Sequence, residues 1–207
     1  MSEKKKTRIK IRNEAKILDA AQKLFAAHGF HGTTIEKIAE AADMSQPNLH
    51  NYFKTKADLY KTVLSNMLEI WLDPLNSLDV EAEAEVELRR YITQKIEMAR
   101  LYPEASRIFA GEMLRGAPVL SAHLKGDVRD KVLAFSQVID SWVKQGKIRP
   151  VDPIHLIFMI WGTTQHYADF LPQIRAVLGV PRLNKGHFDA AAESICAIIL
   201  EGVKPAN

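Results

Sequence analysis

The chain has 207 residues, one cysteine and a formal net charge of +3, with 47% apolar and 26% charged side chains. That length can bury a core in one large or two small domains, while the lone Cys196 excludes a disulfide framework and a thiolate metal cluster. The charge is uneven: residues 1–12 carry Lys4, Lys5, Lys6, Arg8, Lys10 and Arg12 against Glu3, a net of +5, and the rest of the chain sums to −2. Such a basic arm suits a nucleic-acid backbone. No signal-like apolar segment follows it and no apolar run is long enough to cross a bilayer, so a cytoplasmic protein is expected.

The first helix is predicted over 13–27, with Ala15, Ile17, Leu18, Ala21, Leu24 and Phe25 on one face and His28-Gly29 as its stop. A threonine of the Thr33-Thr34 pair caps a second helix over 35–42, and Asp43-Met44 makes a turn. Ser45 caps a third helix that holds Pro47 in its first turn and ends near Tyr52-Phe53. A fourth helix carries Leu59, Tyr60, Val63, Leu64, Met67, Leu68, Trp71 and Leu72, and Pro74 closes it. Acidic residues 79–87 open a helix to about 101, and Pro103 starts another that ends by Gly116. Pro118 opens a long segment to 147 with Val132, Phe135, Val138, Ile139 and Trp142 inward and Gly146 as its cap. Asp152-Pro153 starts a helix over 154–170, residues 172–185 read as irregular with at most a turn of helix, and a last helix covers 188–203. No stretch alternates with period two. The fold class is all-α: a basic arm (1–12), a three-helix unit (13–56) and a larger helical body (57–207).

The two short helices joined by a tight turn outline a helix-turn-helix. The third carries Gln46, Asn48, His50 and Asn51, which are hydrogen-bonding side chains suited to base edges. The order of Phe25, Gly29, Thr33-Thr34, Ile38-Ala39, Ala42, Ser45, Tyr52-Phe53 and Lys56 resembles the N-terminal signature of the TetR-type repressors. The resemblance implies that the third helix enters the major groove. It makes Ser45, Gln46, Asn48, His50 and Asn51 the contacts of that helix, and Thr33, Thr34, Tyr52 and Lys56 phosphate anchors. Phe53 is expected in the core, and Tyr52 is expected to bury its ring with the hydroxyl turned outward. Asp43 stands where these proteins often carry glycine, and aspartate tolerates a left-handed turn.

The segments 70–75, 102–107, 112–114 and 152–170 are similar to one subgroup of these repressors, the regulators of pyrimidine utilisation. That resemblance implies a uracil or thymine effector, no further cofactor, a homodimer formed by the last two long helices, and a roughly palindromic double-stranded operator. The residues alone are compatible and less specific. Trp161 and Gln165 lie four apart on one helix face. A primary amide matches the N–H/C=O edge of a pyrimidinedione, and an indole can cover its ring. On the residues alone, Trp161 on an apolar helix reads as a core residue more readily than as a ligand platform. Trp71 and Leu72 would close the pocket, with Phe109 and Met113 as further lining. His155, His166 and His187 show no metal-ligand spacing. Other readings are the same repressor with another effector, an enzyme of pyrimidine metabolism, or an architectural DNA protein. No nucleophile–base pair or phosphate-binding loop supports the enzyme.

Overall fold

The computed structural model describes the backbone of residues 3–205 and the side chains of 8–205, and no strand occurs among them. The chain divides into two compact units: Met1–Leu68 with Arg107–Leu120, and Glu69–Ser106 with Ser121–Asn207. The first is larger than the 13–56 segment, because residues 57–68 and 107–120 pack with it. No described helix is long and apolar enough to cross a membrane.

In the first unit α1 spans Glu3–Gly32, α2 Ile35–Ala41 and α3 Gln46–His50. The segment expected as an arm is therefore helical from Glu3. Lysine and arginine are good helix formers, and no glycine or proline interrupts before residue 29. The side chains of Lys4, Lys5 and Lys6 lie outside the described residues. α1 breaks where its stop was read: Gly29 has φ 69°, ψ 178°, and one further turn follows. Ile17, Ala21 and Phe25 are buried, whereas Ala15 is exposed. Asp43 makes the turn at φ 56°, so the left-handed position without a glycine is real. α3 is shorter than expected, since Asn51 already caps it.

α4, Lys56–Leu72, places Leu59, Tyr60, Val63, Leu64, Met67, Leu68, Trp71 and Leu72 inward, all 7% exposed or less. The rings of Phe25, Phe30 and Tyr60 meet with centroids 4.9 and 5.0 Å from Tyr60. α6, Pro103–Leu114, brings the buried Glu112 to the same unit. Its carboxylate accepts from Tyr60 Oη (3.3 Å), Arg115 (3.3 Å) and the backbone N–H of Val119 (2.6 Å) and Leu120 (3.3 Å). A single acid thus fastens the turn that contains the left-handed Gly116 and Ala117.

In the second unit a 3-10 turn at Asp73–Ser77 closes α4 around Pro74. α5, Ala84–Leu101, starts later than the acidic run, because residues 79–83 form turns in which Asp79 accepts from Glu81 N–H at 2.9 Å. α7 (Ser121–His123), a π turn (Leu124–Val128) and α8 (Arg129–Lys144) follow without a break. Val132, Phe135, Ile139 and Trp142 face inward, while Val138 is only half-buried. Trp142 Nε1 and Lys147 Nζ both donate to Val80 O, at 2.9 and 3.3 Å, holding that loop on α8. α9 (Pro153–Asp169) begins as expected at the Asp152 cap. The stretch read as irregular contains a full helix, α10 (Leu171–Leu178), with Pro172 in its first turn and Gly179 ending it at φ 67°. Proline in that place starts a helix rather than breaking one. α11 (Lys185–Val203) starts three residues early, where Asn184 and His187 form a reciprocal capping pair. α5 packs between α9 and α11, with Ile96, Phe188, Ala191 and Ala192 at the centre of that layer.

Candidate nucleic-acid interface and effector site

Leu49 (0% exposed) and Phe53 (6%) are the pegs that seat α3. Around them Ser45, Asn48, His50 and Asn51 are exposed and Gln46 is half-buried. Ser45 Oγ accepts from Asn48 N–H at 3.4 Å, and Thr34 Oγ1 caps α2 by accepting from Lys37 N–H at 3.3 Å. Glu36 sits beside this edge, fully exposed. Its carboxyl is held below the usual range first by its own backbone N–H, then by Thr34, with smaller help from Gln46 and His50. Gln46 is thereby drawn toward an acid, while Asn48, His50 and Asn51 stay outward.

Two expected phosphate anchors have internal duties. Thr33 is 0% exposed, and its hydroxyl bridges to Gly29 O (2.8 Å) and Leu24 O (3.1 Å). It is a bolt between α1 and α2 and presents no side chain to a phosphate, which corrects the sequence reading. Lys56 Nζ donates to Phe30 O and Thr33 O, both at 2.8 Å, and lies 4.4 Å from the Phe30 ring centroid. An ammonium has three protons, so at most one is left for DNA. Tyr52 is half-buried, and its oxygen accepts from the Asn13 amide at 3.0 Å, which leaves its own proton to donate. Arg8, Lys10 and Arg12 are exposed on α1.

In the second unit Trp71 and Leu72 are 7% and 6% exposed, and Trp161 and Gln165 are half-buried one turn apart on α9. The Trp161 indole donates to Tyr91 Oη at 2.7 Å, so its polar edge is already occupied. Burial pushes the Tyr91 phenol up. Among the described residues the Gln165 side-chain amide forms no hydrogen bond. Phe109 and Met113, expected beside these residues, are half-buried and belong to the first unit. Sequence reasoning missed Lys95. This lysine is 6% exposed, its Nζ lies 5.5 Å from the Trp71 ring centroid, and burial lowers it to about 8. The signal was present, since Leu88, Tyr91, Ile92, Ile96 and Ala99 mark the buried stripe of α5 and Lys95 falls on it.

The three histidines have separate surroundings. His155 is exposed, the His166 ring stacks on Phe170 at 4.8 Å, and His187 caps α11. Cys196 is 1% exposed, as its apolar run suggested.

Known protein families match most of the chain. Residues 17–63 match the family of bacterial regulatory proteins of the tetR type, and residues 64–206 match the C-terminal region of YcdC-like proteins. The chain is 47% identical over 189 residues to the HTH-type transcriptional regulator RutR of Escherichia coli K12, covering 91% of this chain and 89% of the relative. Among solved structures, it resembles a tetR-family regulatory protein from Rhodococcus RHA1 (TM-score 0.75, 21% identity, 94% and 98% coverage). It also resembles AibR in complex with isovaleryl coenzyme A and operator DNA (TM-score 0.68, 20% identity, 90% and 97% coverage). At those identities the structural likeness shows the fold.

Proposed function

The chain belongs to the TetR family of bacterial regulatory proteins and is a transcriptional regulator of that type; we propose that it is a repressor that leaves its operator when uracil or thymine occupies the second unit. The observation that carries this reading is the 47% identity to RutR, which extends through the C-terminal region where effectors would bind. The similarity of segments 70–75 and 152–170 to pyrimidine-utilisation regulators supports the ligand class. So does the chemistry of Gln165, an amide with no internal partner among the described residues beside a tryptophan. Its acceptor and donors match a ring carbonyl flanked by N–H.

On this reading α3 enters the major groove with Asn48, His50 and Asn51 at base edges, and Thr34, Tyr52 and the basic start of α1 hold phosphates. The working molecule is a two-fold dimer on a roughly palindromic operator. Phe158 (53% exposed) and Met159 (56%) on α9 and Ile198 (73%) on α11 support it, because these apolar side chains gain by burial against a second copy. α4 carries Lys56 in its first turn and Trp71 in its last, so a ring bound against Trp71 changes the set of the helix that holds Phe30 and Thr33. The effector must favour the state that does not bind DNA. Coupling of about 1–3 kcal/mol weakens operator binding roughly 5- to 150-fold. The test is operator release measured by fluorescence anisotropy. Gln165→Ala is expected to bind operator as the parent does and to ignore uracil. Normal release of that variant by uracil refutes the assignment.

A further inference from the structure

Lys95 is a buried cation without an anion. Among the described residues it has no ion pair and no hydrogen bond, and its Nζ lies 5.5 Å from the centroid of the Trp71 ring. Such a group is costly in a protein interior unless something pairs with it. No fully sealed side-chain nitrogen or oxygen lacks a partner among the described residues, so the Lys95 ammonium, which has none, borders open volume.

Its place on α5 points to what that volume holds. Tyr91 and Lys95 are one turn apart on a single face, as are Trp161 and Gln165 on α9. Tyr91 bonds Trp161, and further along both helices Ile96 packs in the cluster that Tyr167 covers. The pairings advance in the same direction, so the helices run parallel in register. One turn beyond the Tyr91–Trp161 bond therefore sets Lys95 level with Gln165, the two side chains that lack hydrogen-bond partners, with Trp71 at the lysine.

We propose that Lys95 is the effector-binding cation of this unit, donating to an sp2 oxygen of a flat ring that Gln165 engages along its neighbouring N–H edge. The inference rests on the pyrimidine reading above and narrows it. An ammonium has protons and no lone pair. The ring must therefore turn an oxygen toward Lys95, and an amino group or ring N–H in that position is rejected. Two sources supply the oxygen: the carbonyl of a neutral pyrimidinedione, or a carboxylate carried on the ring.

Isothermal titration of the full chain with uracil and with orotate, for the parent and Lys95→Met, tests this. Methionine keeps the length and removes the donor. The parent is expected to bind at least one ring and Lys95→Met to bind it at least tenfold more weakly, with far-UV circular dichroism and operator affinity retained. Tighter binding of uracil than orotate assigns the oxygen to a ring carbonyl, and the reverse order assigns it to a carboxylate. Binding by Lys95→Met within twofold of the parent overturns the role of Lys95 and leaves the pyrimidine reading standing. A parent that binds neither ring overturns that reading and this inference with it. Lys95→Gln is measured alongside. If both variants lose their helical spectrum, the ammonium is a structural prop and the inference fails.

Discussion

Replacing Lys95 with methionine is expected to make the protein more stable. Burial lowers this ammonium from 10.5 to about 8, and among the described residues no carboxylate offsets that desolvation. At about 1.4 kcal/mol per pKa unit, charging Lys95 in the folded chain costs about 3 kcal/mol relative to the unfolded one near neutral pH. Methionine removes that cost and keeps a soft contact with the Trp71 ring. The melting temperature should rise by roughly 5–10 °C, at a few degrees per kcal/mol for a chain of this size. The pH dependence separates this cause from better packing. Between about pH 8 and pH 10.5 the unfolded chain still holds a proton on Lys95 that the folded chain has released, so this group makes parental stability rise with pH across that window. The gap between parent and variant should therefore be widest at pH 7 and narrow by about 2 kcal/mol by pH 9.5. Urea denaturation at both pH values measures it. A variant less stable than the parent at pH 7, or a gap that does not change with pH, refutes the reasoning.

Thr33→Val keeps the shape but strips the hydroxyl that bridges Leu24 O and Gly29 O, and is expected to cost roughly 1–3 kcal/mol by urea denaturation. Operator affinity per folded molecule should not change, whereas loss of affinity in the folded variant would restore Thr33 as a phosphate anchor. Asp43→Gly relieves a left-handed non-glycine residue and should stabilise by about 1 kcal/mol, seen as a higher melting temperature. Glu112→Ala strands the N–H groups of Val119 and Leu120 and the Tyr60 hydroxyl, a loss of roughly 3 kcal/mol. Glu112→Gln keeps an acceptor for the two backbone groups and should lose less. Equal losses in the two variants would show that the backbone bonds are not what the acid supplies.

What the sequence made legible was local. Gly29, Ser45, Pro47, Asp152 and Gly179 act through their own backbone or the next turn, and the stops and caps read from Gly29, Ser45 and Asp152 stand in the structure. Where a residue's role depends on what packs over it, the reading was incomplete. The Thr33 hydroxyl is used by Leu24 O and Gly29 O, and Lys56 commits two of its protons to Phe30 O and Thr33 O. α10 falls in the stretch read as irregular, and its Pro172 sits in the first turn, where a proline loses no helical hydrogen bond. Lys95 was not singled out in the sequence, although its register with Leu88, Tyr91 and Ile92 puts it on the buried stripe of α5.

α3 is held in place by Leu49 and Phe53, while Asn48, His50 and Asn51 stand in water. The parts that seat this helix and the parts that would choose a DNA sequence are different atoms. Exchanging any of the three exposed side chains touches no buried contact, so drift at these positions would be nearly invisible to selection for folding. A gene duplicate of this regulator could acquire a new operator in single steps, each intermediate remaining a folded protein.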